Sequence, residues 1–561
     1  MTEDSTLKNA HKYIAYPSVP LSKRTWPDKH IETAPIWCAV DLRDGNQALI
    51  NPMNHARKMK MYSLLVDIGF KEIEIGFPSS SQIEFDFTRY LIENDLVPHD
   101  VTLQVLTQAR PHLIERTFES VKGARRVIVH VYNSTSVAQR RDVFKMDPEG
   151  VKKIACEAVQ LIKDMAASCP ETEWILEYSP ESFTGTELDV AADICNAVID
   201  TWQPTSERKM IINLPSTVEM ATPNIYADQI EWMSGHLKCR DSVILSVHTH
   251  NDRGCGIAST ELAVMAGAQR VEGTLLGNGE RTGNADLITL ALNMFSQGVD
   301  PCLDLSNIPA IVKTVEECNQ IETHPRHPYV GELVFTALSG SHQDAIKKGL
   351  DANKEQMRNH WDVPYLPIDP TDIGRTYETA IRINSQSGKS GIAYVLEKEF
   401  GLKLPKLMQI EFAKVIQHMA DTLEREILAQ EIWNAFEKEY IAQTSGFKLG
   451  QWKYRNADKD DHVICEVTLD DTKGQNVPMS YTSEGNGPID AFTVGLKAVT
   501  HTQFTLENYE EHTLSTGSGA RAAAYVSLID SKGREYYGVG IDANIMTASV
   551  KAVLSAFNRM Q

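Results

Sequence analysis

No stretch of this chain approaches the ~20 consecutive apolar residues that a membrane-spanning helix needs, and none of its nine cysteines falls in a Cys-x-x-Cys pair. The first absence excludes a helical integral membrane protein. The second, with an odd number of cysteines scattered from Cys38 to Cys465, excludes a disulfide framework or a zinc knuckle as the organising element. Positive charge is also short: 55 Lys and Arg stand against 75 Asp and Glu, a formal charge of −20. That balance argues against non-specific nucleic-acid binding and against an anionic membrane surface. Met1-Thr-Glu-Asp-Ser5 has none of the apolar core of a secretory signal. No Gly-x-Gly-x-x-Gly follows the first apolar run, which counts against a dinucleotide-binding sheet. A reducing cytoplasm is the expected compartment.

What the chain does contain is a hydrophobic fraction of 42% over 561 residues, enough for two to four domains with full cores. Short apolar, β-branched runs recur at Ile36 to Val40, Glu72 to Gly76, Val101 to Leu106, Val127 to Val131, Trp174 to Tyr178, Met210 to Leu214, Val243 to Val247 and Arg270 to Leu276. Between them lie segments of helical periodicity, such as Asn54 to Ile68, Gly150 to Met165 and Thr186 to Thr201. Alternating strand and helix demands parallel strands joined by crossover helices. Eight such units in about 250 residues predict a (β/α)8 TIM barrel of class α/β.

Active sites of that fold gather at the carboxyl ends of the strands, and the polar residues fall there. His248 and His250 close the seventh run; with the period of two along a strand they point the same way and can grip one ion together. Asp44, in Asp41-Leu-Arg-Asp-Gly-Asn-Gln47 after the first run, supplies a carboxylate. Two imidazoles and one carboxylate leave open positions on a divalent cation acting as a Lewis acid. Alone, a His-x-His is usually structural, and Asp-Gly after a strand is ordinary turn chemistry; the combination carries the reading. The same rim takes Arg43, His130, Glu181 and Thr217, and Asn284 ends the glycine-rich loop Gly277-Asn-Gly-Glu-Arg-Thr-Gly-Asn284.

Beyond residue 300 the alternation stops. The chain divides into an N-terminal extension (1–34), the barrel (35–304), helical linker subdomains (305–445) and a C-terminal α+β domain (446–561). Strands are expected in that last domain at His462 to Leu469, Ala522 to Ile529 and Glu535 to Gly540, with a helix at Ile545 to Met560. Its glycine loops, Glu484 to Pro488 and Thr516 to Gly519, read as turns or as small-ligand cradles.

Asp41 to Gln47, His248-Thr-His-Asn-Asp252 and Gly277 to Asn284, in that order, resemble the motifs of the 2-isopropylmalate synthases of the longer form, within the broader family of acyl-CoA Claisen-type condensing enzymes and related lyases. The resemblance spans nearly the whole chain. It implies an acyltransferase that joins acetyl-CoA to the 2-oxo acid 3-methyl-2-oxobutanoate. Asp44, His248, His250 and Asn284 would hold the metal, magnesium first, with manganese or zinc as alternatives. Arg43 would stabilise the developing alkoxide, Thr217 would bind the oxo-acid carboxylate, His130 would bind substrate, and Glu181 would act in catalysis by orienting the substrate or a proton-transfer partner. His342 and Tyr377, from the helical middle, would assist proton transfer in a partner subunit of a homodimer. The last domain would bind leucine as feedback inhibitor around Gly485, Gly487, Asp490, Gly540, Asp542 and Asn544. Homocitrate and citramalate synthases differ by which oxo acid the pocket near Leu49, Glu74 and Asn213 admits; an acyl-CoA lyase and a non-catalytic amino-acid-binding regulator are more distant alternatives.

Overall fold

Eight strands rich in Val and Ile form in the first 273 residues: β1 Ile36–Ala39, β2 Glu72–Gly76, β3 Thr102–Gln108, β4 Arg126–Ser134, β5 Glu173–Glu181, β6 Met210–Ser216, β7 Val243–Thr249 and β8 Arg270–Gly273. They pair in parallel in sequence order, and β8 closes onto β1 with Trp37 opposite Val271 and Cys38 opposite Glu272. This is the expected barrel. In this computed structural model the described residues are 10–337, 339–356, 359–377, 389–423, 427–442, 446–457, 462–471, 478–514 and 520–561. They belong to two compact units, Met1–Val334 with Ile368–Thr376, and Phe335–Pro367 with Tyr377–Gln561.

Local chemistry sets the barrel's crossovers. Asn54 accepts a hydrogen bond from the Arg57 amide to start the helix His55–Ile68, and Gly69, at φ 108°, ends it in the left-handed region. Asp147 caps Pro148–Ala167, where a proline occupies the first turn at no hydrogen-bonding cost. The expected helix Thr186 to Thr201 runs instead from Leu188 to Trp202. The eighth strand stops at Gly273, three residues before the expected Leu276. Leu276 takes φ 60° within a short turn, and a Cβ at Gly273 would lie 2.5 Å from the Ala285 carbonyl oxygen, so the chain must turn there.

The barrel interior is not the aliphatic stack usual for this fold. Glu74, Gln104, His130, Glu177, Asn213, Ser246, Arg270 and Glu272 are all buried. Arg270 donates to Glu272 (3.0 Å), Ser246 (2.9 Å) and Gln104 (2.6 Å), and Gln104 donates to Glu272 (2.8 Å) and Glu74 (3.1 Å). Buried charge is tolerated when paired and hydrogen-bonded, and one guanidinium serves several strands here.

In the second unit, helices Gly340–Gln356, Lys389–Phe400, Lys406–Leu423 and Ala429–Phe436 precede two three-stranded antiparallel sheets. One has the order β11-β10-β9 (β9 Phe447–Asn456, β10 Val463–Asp471, β11 Met479–Gly485), the other β12-β13-β14 (β12 Phe504–Thr513, β13 Ala522–Asp530, β14 Glu535–Asp542). The three expected strands are present. Three more, β9, β11 and β12, are largely exposed and polar, so no apolar run announced them. Thr516 to Gly519 lies outside the described residues.

Helix Ile545–Met560 packs on β14 so closely that a Cβ at Gly540 would meet the Ala548 carbonyl oxygen and stand 2.6 Å from the Ala552 amide nitrogen. Gly540→Val is therefore expected to destabilise this unit by about 3 kcal/mol or more through overpacking. Calorimetry should show its unfolding transition move down while the barrel's stays; equal shifts in both would contradict the local origin.

Candidate active site and metal centre

At the carboxyl end of the barrel a cavity of about 1190 Å³ opens, lined among others by Arg43, Asp44, His130, Glu181, His248 and His250. Thr217 and Asn213 line it too. After β1 the chain coils through a wide turn, Asp41–Gly45, which turns Asp44 inward. His248 is in β7, and His250 sits one residue beyond it, held by a bridge to Asn284. The Nε2 atoms of His248 and His250 lie 3.1 and 3.5 Å from Asp44 Oδ2. All three side chains are buried, each with a ligating atom within 4.8 Å of the others'. The Oδ1 atom of Asn284 is buried without a hydrogen-bond partner. Two imidazoles, a carboxylate and an orphaned amide oxygen suit a divalent cation.

The surroundings orient these groups. His248 Nδ1 faces Glu272 Oε2 at 2.9 Å, and His250 Nδ1 faces the Thr217 carbonyl at 2.6 Å; each contact directs Nε2 toward Asp44, as outer-shell acceptors do for ligating histidines. Burial alone would lower His248, but its hydrogen bonds to Asp44 and Glu272 prevail and push it up to about 9. Burial acts to raise Asp44, yet Arg43 and the two histidines hold it well below the usual carboxylate range. Arg43 bridges Asp44 (3.0 Å) and Glu74. Glu74 also accepts from Gln104 and faces His130 Nδ1 at 2.9 Å, so one buried carboxylate anchors two groups of the cavity wall.

A second buried cluster, His130 with Glu177 and Glu272, also has ligating atoms close together. Arg270 stands 3.4 Å from Glu177 and 3.0 Å from Glu272, so a guanidinium already supplies the positive charge, while burial pushes Glu177 well above its ordinary range.

Asp41, three residues before Asp44, is buried and pushed up to about 8 by that burial, against the opposing pull of the Leu275 amide. Its folded value exceeds the ordinary 3.8, so between these two pH values the folded state keeps a proton that the unfolded chain releases. Stability thus falls as pH rises through this window. Asp41→Asn should flatten the slope of melting temperature against pH from 5 to 8; an unchanged slope would count against it.

Of the remaining expected residues, Glu181 ends β5 and accepts from the Ser134 hydroxyl, and Thr217 Oγ1 accepts from the Ser182 amide at 2.9 Å. Asn213 donates to Ser179 (3.0 Å), Glu74 is fully buried behind Arg43, and Leu49 is buried. His342 and Tyr377 belong to the second unit, where the His342 ring stacks on Tyr365 at 4.1 Å. There too, Gly485 and Gly487 flank Asn486, whose amide donates to Asp490 (2.9 Å). Asn544 caps the last helix and donates its own amide to Asp542 (2.9 Å), which also holds Lys551. Sequence reasoning missed Glu272, Arg270 and Arg281 as groups bearing on the site. Arg270 and Glu272, alternate residues of one strand, share a face, but nothing in their local sequence marks that face as the barrel interior.

Comparison with known proteins gives three family matches: HMGL-like over residues 34–315, the alpha-isopropylmalate synthase post-catalytic domain-like family over 332–397, and the LeuA allosteric (dimerisation) domain over 426–561. Among curated relatives, a 2-isopropylmalate synthase of Clostridium acetobutylicum is 55% identical over 98% of this chain and 99% of its own length. One from Ralstonia nicotianae is 53% identical over 98% and 95%. Among solved structures, the hydroxymethylglutaryl-CoA lyase of Pseudomonas aeruginosa aligns with 52% of this chain and 92% of its own at 16% identity, TM-score 0.41.

Proposed function

The chain belongs to the 2-isopropylmalate synthase family, and from that premise we propose that its barrel mouth condenses acetyl-CoA with 3-methyl-2-oxobutanoate and water, releasing 2-isopropylmalate and CoA at the committed step of leucine biosynthesis. The observation that carries this reading is the convergence of Asp44, His248 and His250 inside the cavity, in a chain more than half identical to these synthases over nearly its full length.

Asp44, His248, His250 and Asn284 would hold a divalent cation, magnesium in our reading with manganese or zinc as alternatives, which when bound polarises the ketone of the oxo acid as a Lewis acid. Arg43, fixed by Glu74, is the group to meet the oxygen on which charge develops, an oxyanion-type stabilisation. The Thr217 hydroxyl would bind the oxo-acid carboxylate, and His130 and Glu181 would orient the substrate. Removal of a proton from the acetyl methyl requires a base; we assign assistance in this step to His342 and Tyr377, supplied across a homodimer. Residues 1–34 are an N-terminal extension, 35–304 the catalytic barrel, 305–445 the linker and 446–561 a regulatory domain. That domain would bind leucine around Gly485, Gly487, Asp490, Gly540, Asp542 and Asn544. The cytoplasm is the compartment in our reading. Among the described residues no helix is long and apolar enough to cross a membrane.

The test is release of CoA thiol from acetyl-CoA with a panel of 2-oxo acids, with and without magnesium and leucine. Metal-dependent release strongest with 3-methyl-2-oxobutanoate and suppressed by leucine is expected. Preference for pyruvate or 2-oxoglutarate would move the chain to a sister synthase, and no release with any acid would overturn the condensation.

A further inference from the structure

The loop after β8 places a second cation beside the metal centre. Arg281 has φ 54°, a left-handed backbone that is unfavourable for a non-glycine residue and persists where surrounding contacts impose it. Those contacts are specific. Nε donates to Asp252 Oδ1 at 2.7 Å and Nη2 to Asp252 Oδ2 at 3.1 Å, while Nη2 also donates to the Thr217 carbonyl at 2.5 Å. That carbonyl is the acceptor facing His250 Nδ1 at 2.6 Å, and Nη2 and Nδ1 stand 2.8 Å apart. In the tautomer with the proton on His250 Nδ1, which leaves Nε2 free to ligate, two donors converge on one oxygen. Asp252 is itself tied to the β6 loop, its Oδ2 accepting from the Glu219 amide at 3.0 Å.

We infer that Arg281 is a positioning residue for the metal centre: by clamping the Thr217 carbonyl to Asp252 it fixes the acceptor that sets the ring orientation and tautomer of His250. His248 needs no such clamp, because its Nδ1 meets a carboxylate carried on the neighbouring strand β8, Glu272. His250 lies beyond β7 and leans on a loop carbonyl, whose residue is otherwise tied only through the Thr217 hydroxyl to the Ser182 amide. The loop's glycines fit the same purpose: a Cβ at Gly279 would lie 2.7 Å from the side-chain nitrogen Nδ2 of Asn284, so the turn that presents Arg281 also makes room for the Asn284 side chain. The fork geometry matters, since a planar guanidinium grips Asp252 through Nε and Nη2 while reaching the carbonyl, whereas an ammonium is a single point of contact without that fixed geometry.

This inference rests on the metal reading above, and the experiment separates the two. The dissociation constant for Mn2+ is measured by electron paramagnetic resonance on the chelator-treated full chain, without substrate, for wild type, His250→Ala, Arg281→Ala, Arg281→Lys and Asp252→Asn. Outer-shell partners of ligating histidines are worth roughly tenfold to a hundredfold in metal affinity. Arg281→Ala is expected to weaken binding by that factor, with Arg281→Lys intermediate, and kcat should recover at saturating metal. If wild type and His250→Ala bind alike, the metal reading itself fails. If His250→Ala loses binding while Arg281→Ala stays within twofold of wild type, the positioning role is overturned. Should Arg281→Ala not fold by circular dichroism, Asp252→Asn decides: weakening of fivefold or more supports the clamp, and wild-type affinity refutes it.

Discussion

Asp44→Asn is expected to lower kcat/KM at least about a thousandfold, because ~4 kcal/mol of transition-state stabilisation depends on a charged ligand that the amide does not replace. Asp44 is a carboxylate with both histidine Nε2 atoms on one oxygen and Arg43 on the other. Its replacement keeps shape and removes the negative charge. Divalent metal retained after dialysis should fall with activity, while far-UV circular dichroism stays as in wild type. Activity within tenfold of wild type, at metal concentrations that saturate it, would mean that the histidines and Asn284 suffice and that Asp44 only neutralises Arg43.

Glu74→Ala is expected to act on stability as strongly as Asp44→Asn acts on turnover. Glu74 is fully buried and shared among Arg43, Gln104 and His130. Removing one partner of a buried ion pair leaves the other charge uncompensated, at a cost of about 3 to 5 kcal/mol. Urea unfolding should show the extrapolated unfolding free energy fall by an amount of that order, with the midpoint lowered in proportion. The remaining folded enzyme should also lose turnover, since Arg43 and His130 are freed from their common anchor. A loss under about 1 kcal/mol would show that Asp44 alone compensates Arg43.

The barrel was legible because strands such as Val127 to Val131 and Val243 to Val247 are mostly Val, Ile and Leu, as buried parallel strands are, even though His130 and Ser246 in them carry polar groups into the interior. The proposed ligands were legible for a geometric reason. A period of two puts His248 and His250 on one face, and both do converge on Asp44. What escaped sequence reading was the support beneath them. A Glu or Arg inside a strand reads as a solvated face, and no local pattern shows that Arg270 will meet Gln104, 166 positions away. Strands β9 and β12 escaped for the opposite reason, since alternating polar residues on exposed strands leave little hydrophobic signal. The early end of β8 follows from the backbone of Leu276 and from the close approach of Ala285 to Gly273, neither of which the apolar run from 270 to 276 discloses.

The ionic interior of the barrel bears on how the chain reaches its native state. Arg270 and Glu272 come from the last strand, Gln104 from the third, Glu177 from the fifth and Glu74 from the second. Arg270 and Glu272 arrive together on β8, whereas Gln104 and Glu177 wait on β3 and β5, so a half-closed barrel would bury Glu177 before its guanidinium partner arrives. Such intermediates are raised in energy relative to both open and closed forms. Closure is thereby made all-or-none, and the synthesis of residue 270 sets the earliest moment at which a growing chain can complete its catalytic unit.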